Sequence, residues 1–330
     1  MKFLLRIAYC VLLTACATAT PLSTVVPASP TSTFIAPSAT QSTNEQLPIT
    51  NPQLPTESLQ FPVSNSPILQ SPSPSPSLQS QVSTPQFSNP PILNWKDMPV
   101  IPTDIDTSLR KVYERGLQLG NDPRAFSLFG DCQARPAEFF GVFETDETLF
   151  ASLSPELQET VENFRGSFNR ESPTAQDGTT PGALLWIQWH QGKYDCTFAE
   201  TPVECELRIH RPSFVIIQIG THFESRNTEY LRRIIEQLMD AGVVPILATK
   251  ADNREKDERV NRDMTLLASE YDLPLWNFWA AVSDLPNRGL YTRDDRPLQG
   301  DIYLTDEAAQ IHRMTGLEAL NVVWRAVADR

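Results

Sequence analysis

The sequence predicts an α/β fold for residues 93–330, a three-layer α/β/α sandwich around a mainly parallel sheet. Strand-like apolar runs and helix-periodic segments alternate along this stretch, the order that builds crossover units. The run Ser213 to Ile219 is almost uninterruptedly apolar, the pattern of a strand covered on both faces. The residues able to carry chemistry follow the strands, where ligand sites of such sheets lie.

Each element has its own signal. Thr107 to Leu119 places Leu109, Val112, Tyr113 and Leu117 on one helical face and stops at Gly120. Ala125 to Phe129 reads as a short buried strand leading into Gly130-Asp131-Cys132, and a helix is expected at Pro136 to Val142. After the Ser213 strand, Asn227 is expected to cap a helix whose Tyr230, Leu231, Ile234, Ile235, Leu238 and Met239 keep helical spacing up to Gly242. Val243 to Thr249 and Leu273 to Trp279 read as strands, with a helix at Val260 to Tyr271 between them. The last helix starts at Thr305 with Asp306 and Glu307 in its first turn, where acids favour the helix dipole.

The region before residue 93 is of another kind. Lys2 and Arg6 precede an apolar run from Ile7 to Leu13, and Leu13-Thr14-Ala15-Cys16 puts small residues before a cysteine. This is the pattern of a lipoprotein signal peptide over 1–15, with lipidation expected on Cys16; the apolar run is too short to span a bilayer. Residues 17–92 hold fifteen of the 28 prolines and no glycine, lysine or arginine, and Glu45 and Glu57 are the only charges there. Such a segment buries too little apolar surface to order itself, so 16–92 is expected to be a lipidated, semi-stiff tether. The expected setting is therefore extracytoplasmic, anchored to the membrane through the lipid on Cys16.

The domain beyond carries the whole formal charge of −13, because the two leader cations offset the two tether glutamates. That excludes nucleic acid and anionic lipid surfaces as natural partners. Cys196 and Cys205, nine residues apart in a polar segment, are expected to form a disulfide in an oxidising compartment, which leaves Cys132 over. No histidine or cysteine cluster has metal-ligand spacing and no glycine-rich phosphate loop occurs, so neither metal nor cofactor is expected, and the expected state is a monomer.

Phe129-Gly130-Asp131-Cys132-Gln133 follows the first strand directly, where a nucleophile at a strand-to-helix turn would point into a site. In this and three further segments the chain resembles the SGNH/GDSL hydrolase superfamily, whose first block reads Gly-Asp-Ser. Gly178 in Asp177-Gly178-Thr179-Thr180-Pro181 matches the oxyanion-hole glycine of the second block, and Ile219-Gly220-Thr221-His222 the Gly-x-Asn of the third. Gly300-Asp301-Ile302-Tyr303-Leu304-Thr305 matches the last, Asp-x-x-His, with Gly300 at the aspartate and Tyr303 at the histidine. The resemblance implies a flavodoxin-like sandwich and an ester hydrolase. It also implies that Cys132, His222 and Tyr303 replace the usual serine, asparagine and histidine.

Two functions follow. In the first, acyl or acetyl esters, on envelope or external carbohydrate, are cleaved with Cys132 as nucleophile and His222 or His312 as base, His222 being preferred. The oxyanion hole would form from the amides of Cys132 and Gly178. In the second, the fold is a lapsed module binding a cell-envelope glycan or peptide through Asp301, Tyr303, His222, Arg135 and Lys250, with Asp131 and Gly220 beside them. Of the rest, His190 and His210 are expected at the surface. Trp186, Trp189, Trp276 and Trp279 are expected in the core, Lys250, Asp252 and Asn253 on a rim or solvated loop, and His312 exposed on the last helix.

Overall fold

The computed structural model describes residues 94–298 and 300–328; the expected signal peptide, lipidated Cys16 and tether lie outside the described residues. A first helix, α1 (Ser108–Leu119), turns Leu109, Val112 and Tyr113 inward, and ends at Gly120, whose φ of +91° suits a residue without a side chain. Leu117, expected on that inner face, is exposed instead. Four strands follow, β1 (Asp122–Gly130), β2 (Pro212–Gln218), β3 (Val244–Ala248) and β4 (Leu275–Trp276). All neighbours pair in parallel, in the order β1-β2-β3-β4.

Every residue of β2 and β3 is buried, as uninterrupted apolar strands require when helices flank both faces. Between β1 and β2 lie α2 (Val142–Thr145), α3 (Glu147–Ser152), α4 (Pro155–Asn163), α5 (Pro181–Leu184) and α6 (Pro202–Ile209). Then come α7 (Asn227–Asp240), α8 (Arg259–Glu270), α9 (Phe278–Val282) and α10 (Asp306–Ala328). Helices α1, α7 and α8 pack on the sheet, and α10 closes against β4, α1, α4 and α9.

The order is flavodoxin-like with its second strand shrunk to one bridge. In a 2-1-3-4-5 sheet the second strand pairs outside the first. Here only Ala175 pairs there, in parallel with Gly130, and Gly130 N donates to Thr174 O at 2.9 Å. The rest of that edge is closed by side chains. Phe126 N donates to Ser167 Oγ at 3.2 Å, His210 Nε2 lies 3.0 Å from Phe126 O, and Thr174 Oγ1 donates to Leu128 O at 2.8 Å.

Three expectations about elements change. Pro136 to Gly141 is a run of turns that sets Phe139 against Trp276 and His312 and Phe140 against Phe126 and Phe168, and helix begins only at Val142. The strand expected to reach Trp279 stops at Trp276. Asn277 accepts from Thr249 Oγ1 and donates to Trp95 O, drawing the chain out of the sheet and into α9. Asn227 is the first residue of α7 and not its cap; its Oδ1 accepts from Glu224 N. Cys196 and Cys205 do form a disulfide, which ties the loop after α5 to α6.

The flanking residues also differ from expectation. His190 is buried, with Nε2 2.9 Å from Glu200 O, and His210 is half-buried on the β1 edge. Of the four tryptophans, Trp276 is fully buried and Trp189 and Trp279 half-buried, whereas Trp186 is 53% exposed. Ile216 stands in the middle of the central strand with neither face open to water. Ile216→Ala should lower stability by about 2–5 kcal/mol, read as a reduced urea midpoint at unchanged slope.

Candidate functional site

The carboxyl ends of β1 and β2 adjoin at the switch point of the sheet, since β1 continues to the Ala175 side and β2 to the β3 side. Asp131-Cys132 leaves β1 there and Gly220-Thr221-His222 follows β2. The Asp131 carboxylate, 2% exposed, joins the two turns: Oδ2 accepts from the backbone N–H of His222 at 3.0 Å, and Oδ1 accepts from Cys132 Sγ at 3.7 Å. His222 Nδ1 approaches the same carboxylate at 3.8 Å and has no hydrogen-bond partner.

The 131–135 turn reaches the other two segments as well. Gln133 donates its side-chain N–H to Ile302 O, in the loop before α10, and Arg135 pairs with Asp177 at 2.9 Å, one residue before Gly178. Tyr303 lies near enough to Asp177, Glu138 and Arg135 for their charges to act on its phenol. The structure thus gathers Asp131, Cys132, Gly178, Gly220, His222 and Tyr303 around one end of the sheet. Asp301 stands apart: it is exposed, has a φ of +65° and pairs with Arg293 at 3.2 Å.

Cys132 is held as a thiol. Burial raises its pKa, and the charges of Asp131, Asp252 and Asp177 raise it further. It occupies a three-residue 3₁₀ turn, Cys132–Ala134, not the N-terminus of an α-helix, so no helix dipole offsets those carboxylates. Among the described residues no hydrogen bond joins its sulfur to an imidazole. Burial, with the carboxylates of Asp177 and Glu138 adding to it, also raises the Tyr303 phenol, moving it away from any role as a base near neutral pH.

His312 belongs to the core. It is wholly buried on α10 among Phe139, Phe278 and Trp276, and its Nε2 is 2.8 Å from Gln218 Oε1. Burial holds it neutral, well below the usual histidine range, and its Nδ1 has no partner. The exposure expected for it is therefore corrected, and its engagement with Gln218 takes it out of consideration as a base.

A buried ionic group supports the β2 turn. Lys250 Nζ binds Asp252 Oδ1 at 2.7 Å and Glu255 Oε2 at 2.6 Å, all three buried. Asp252 Oδ2 accepts from Thr221 Oγ1 at 2.7 Å, and Arg254 donates to Thr221 O at 3.1 Å. Gly220 has a φ of +140°, and a Cβ there would meet Val260 Cγ1 at 2.3 Å and Lys250 Cδ at 3.2 Å. Lys250 and Asp252 are thus neither solvated nor free to touch a ligand. The sequence places them after a strand but carries no mark of their burial.

The class these features define is a flavodoxin-like α/β domain with a buried thiol at its switch point, the arrangement that the SGNH/GDSL resemblance implies. Among solved structures the chain is similar to a provisionally named acylhydrolase of Bacteroides fragilis, with a TM-score of 0.40 at 12% identity over 68% of this chain and 100% of that one. It is similar also to a GDSL-like lipase of Bacteroides thetaiotaomicron, with a TM-score of 0.38 at 14% identity over 66% of this chain and 98% of that one. No family model and no curated protein matches the chain.

Two measurements follow. Lys250→Met leaves Asp252 and Glu255 buried without a cation and should cost about 3–5 kcal/mol in urea unfolding. The second concerns pH. A histidine whose folded pKa is depressed contributes stability above its unfolded value, about 6.5, and loses it as pH falls below that value. His312 and the half-buried His210, depressed mainly by burial with Arg170 adding to it, have the same sign. The urea midpoint should therefore fall between about pH 7 and about pH 5, with a shallower fall in His312→Gln.

Proposed function

We propose that the domain is a ligand-binding descendant of an SGNH/GDSL-type ester hydrolase, held outside the cell on a lipidated tether and presenting its switch-point cleft to an envelope glycan. One observation carries this reading. The sulfur at the nucleophile position is kept protonated by burial and by three carboxylates, and makes its one hydrogen bond to a carboxylate. Attack on an ester needs a thiolate, or a base in contact with the thiol. His312 is committed to the core, and Tyr303 at the position of the family's base is a poor proton acceptor. What remains around the cleft are groups suited to contact a polar ligand: the partly exposed His222 ring, Arg135 and the Tyr303 hydroxyl.

A second reading is favoured by the approach of His222 Nδ1 to Asp131 at 3.8 Å. A carboxylate in that place can orient an imidazole, as in a nucleophile–histidine–aspartate relay. A substrate that drew His222 Nε2 onto the sulfur would then complete a thiol hydrolase for acyl or acetyl esters.

The readings separate in one experiment on the full chain. Wild type, Cys132→Ala and His222→Ala are compared for p-nitrophenyl acetate hydrolysis and for co-sedimentation with purified peptidoglycan sacculi. The expected outcome is no turnover above buffer in any of the three. Wild type should sediment with the sacculi, and His222→Ala should be retained several-fold less. Turnover that disappears in both variants would instead establish the thiol hydrolase.

A further inference from the structure

Next to the cleft, and distinct from the thiol, is a cavity of about 490 Å³ between the loop after β3 and the segment 287–302. Its lining holds four cations, Arg254, Lys256, Arg288 and Arg293, against a single acid, Asp301. In a chain with a formal charge of −13 this local excess runs against the overall field. Arg293 pairs with Asp301. The other three cations have no ion pair among the described residues, and the nearby Glu255 is taken up by Lys250.

Two of the guanidinium groups are held in place while keeping donors free. Arg254 gives one N–H to Thr221 O at 3.1 Å, and Arg288 gives Nε–H to Ala251 O at 2.8 Å. Each is thereby fixed at the rim by a neutral acceptor with its charge unspent and further N–H groups available, the state in which arginine binds an oxyanion through paired hydrogen bonds. Four cations against one carboxylate leave the lining with a net positive charge whose members repel one another, and a bound anion would offset it. The backbone agrees. Lys256, Asn287, Arg288 and Asp301 all have φ between 47° and 74°, so four of the cavity's lining residues are non-glycine residues in the left-handed region. Such strain concentrates where a site over-determines the chain.

We infer that this cavity is an anion-binding site, taking the carboxylate, sulfate ester or phosphate ester of a polar, sugar-sized ligand between Arg254 and Arg288. The volume falls in the range of small-molecule sites, and Asn253 and Asn287 line it beside the charges. The inference is independent of whether the neighbouring thiol cleft binds or cleaves anything.

The test is isothermal titration calorimetry of the full chain with glucuronate, glucose 6-sulfate and glucose 6-phosphate, and with glucose as the neutral control. At least one charged sugar should bind and glucose should not, and the three arms tell carboxylate from sulfate and phosphate. Arg254→Gln and Arg288→Gln should each weaken binding by about tenfold or more, and added salt should weaken it in wild type. Arg288→Lys, which keeps the charge and loses the planar fork, should fall between, and circular dichroism confirms that each variant is folded. Cys132→Ala should bind as wild type does, so loss of the cleft reading leaves this result standing. Absence of heat from all three charged sugars, equal binding of glucose, or unchanged affinity in the folded Arg254→Gln/Arg288→Gln double variant would overturn the inference.

Discussion

The site end of this molecule depends on one buried carboxylate. Asp131 accepts the backbone N–H of His222 and the thiol of Cys132, so the turns after β1 and β2 are set relative to each other by a single side chain. A carboxylate with almost no access to water must be met by donors, and both come from the residues whose chemistry is in question. The arrangement of the cleft and the suppression of its nucleophile therefore have a common origin. The same negative charge that gathers the loops also disfavours a thiolate between them.

The second layer under the cleft follows the same logic. Lys250, Asp252 and Glu255 form an ion triple in the interior, and through Thr221 it fixes the turn that carries His222. A buried group of this kind contributes position more than net stability, since removing its ions from water is costly. Gly220 fits because it has no side chain to meet Val260 and the Lys250 stem.

Much of the fold was legible in the sequence. The four strands and the helices α1, α7, α8 and α10 announce themselves by apolar periodicity, and the pair Cys196 and Cys205 by spacing and compartment. The residues brought together at the sheet end were also legible, because ligand sites of parallel sheets follow strand ends. What escaped depended on contacts distant in sequence. The turns at 136–141 set Phe139 against Trp276 and His312 and Phe140 against Phe126 and Phe168, and β4 ends early because Asn277 bonds to Thr249 and Trp95. The burial of His312 against Gln218 joins positions 94 residues apart, and nothing local to α10 marks it. The cation-lined cavity was missed for the same reason, since its arginines come from separate loops.

The side chains along β1 bear on more than the local backbone. A strand with an open outer edge offers a row of donors and acceptors onto which another chain can add. Here Ser167, Thr174 and His210 occupy the positions at which such a chain would bond, and only Ala175 mimics the strand that is missing. The sheet is thereby guarded on this side against edge-to-edge polymerisation without a full covering strand, and hydroxyl and imidazole groups serve as the stoppers.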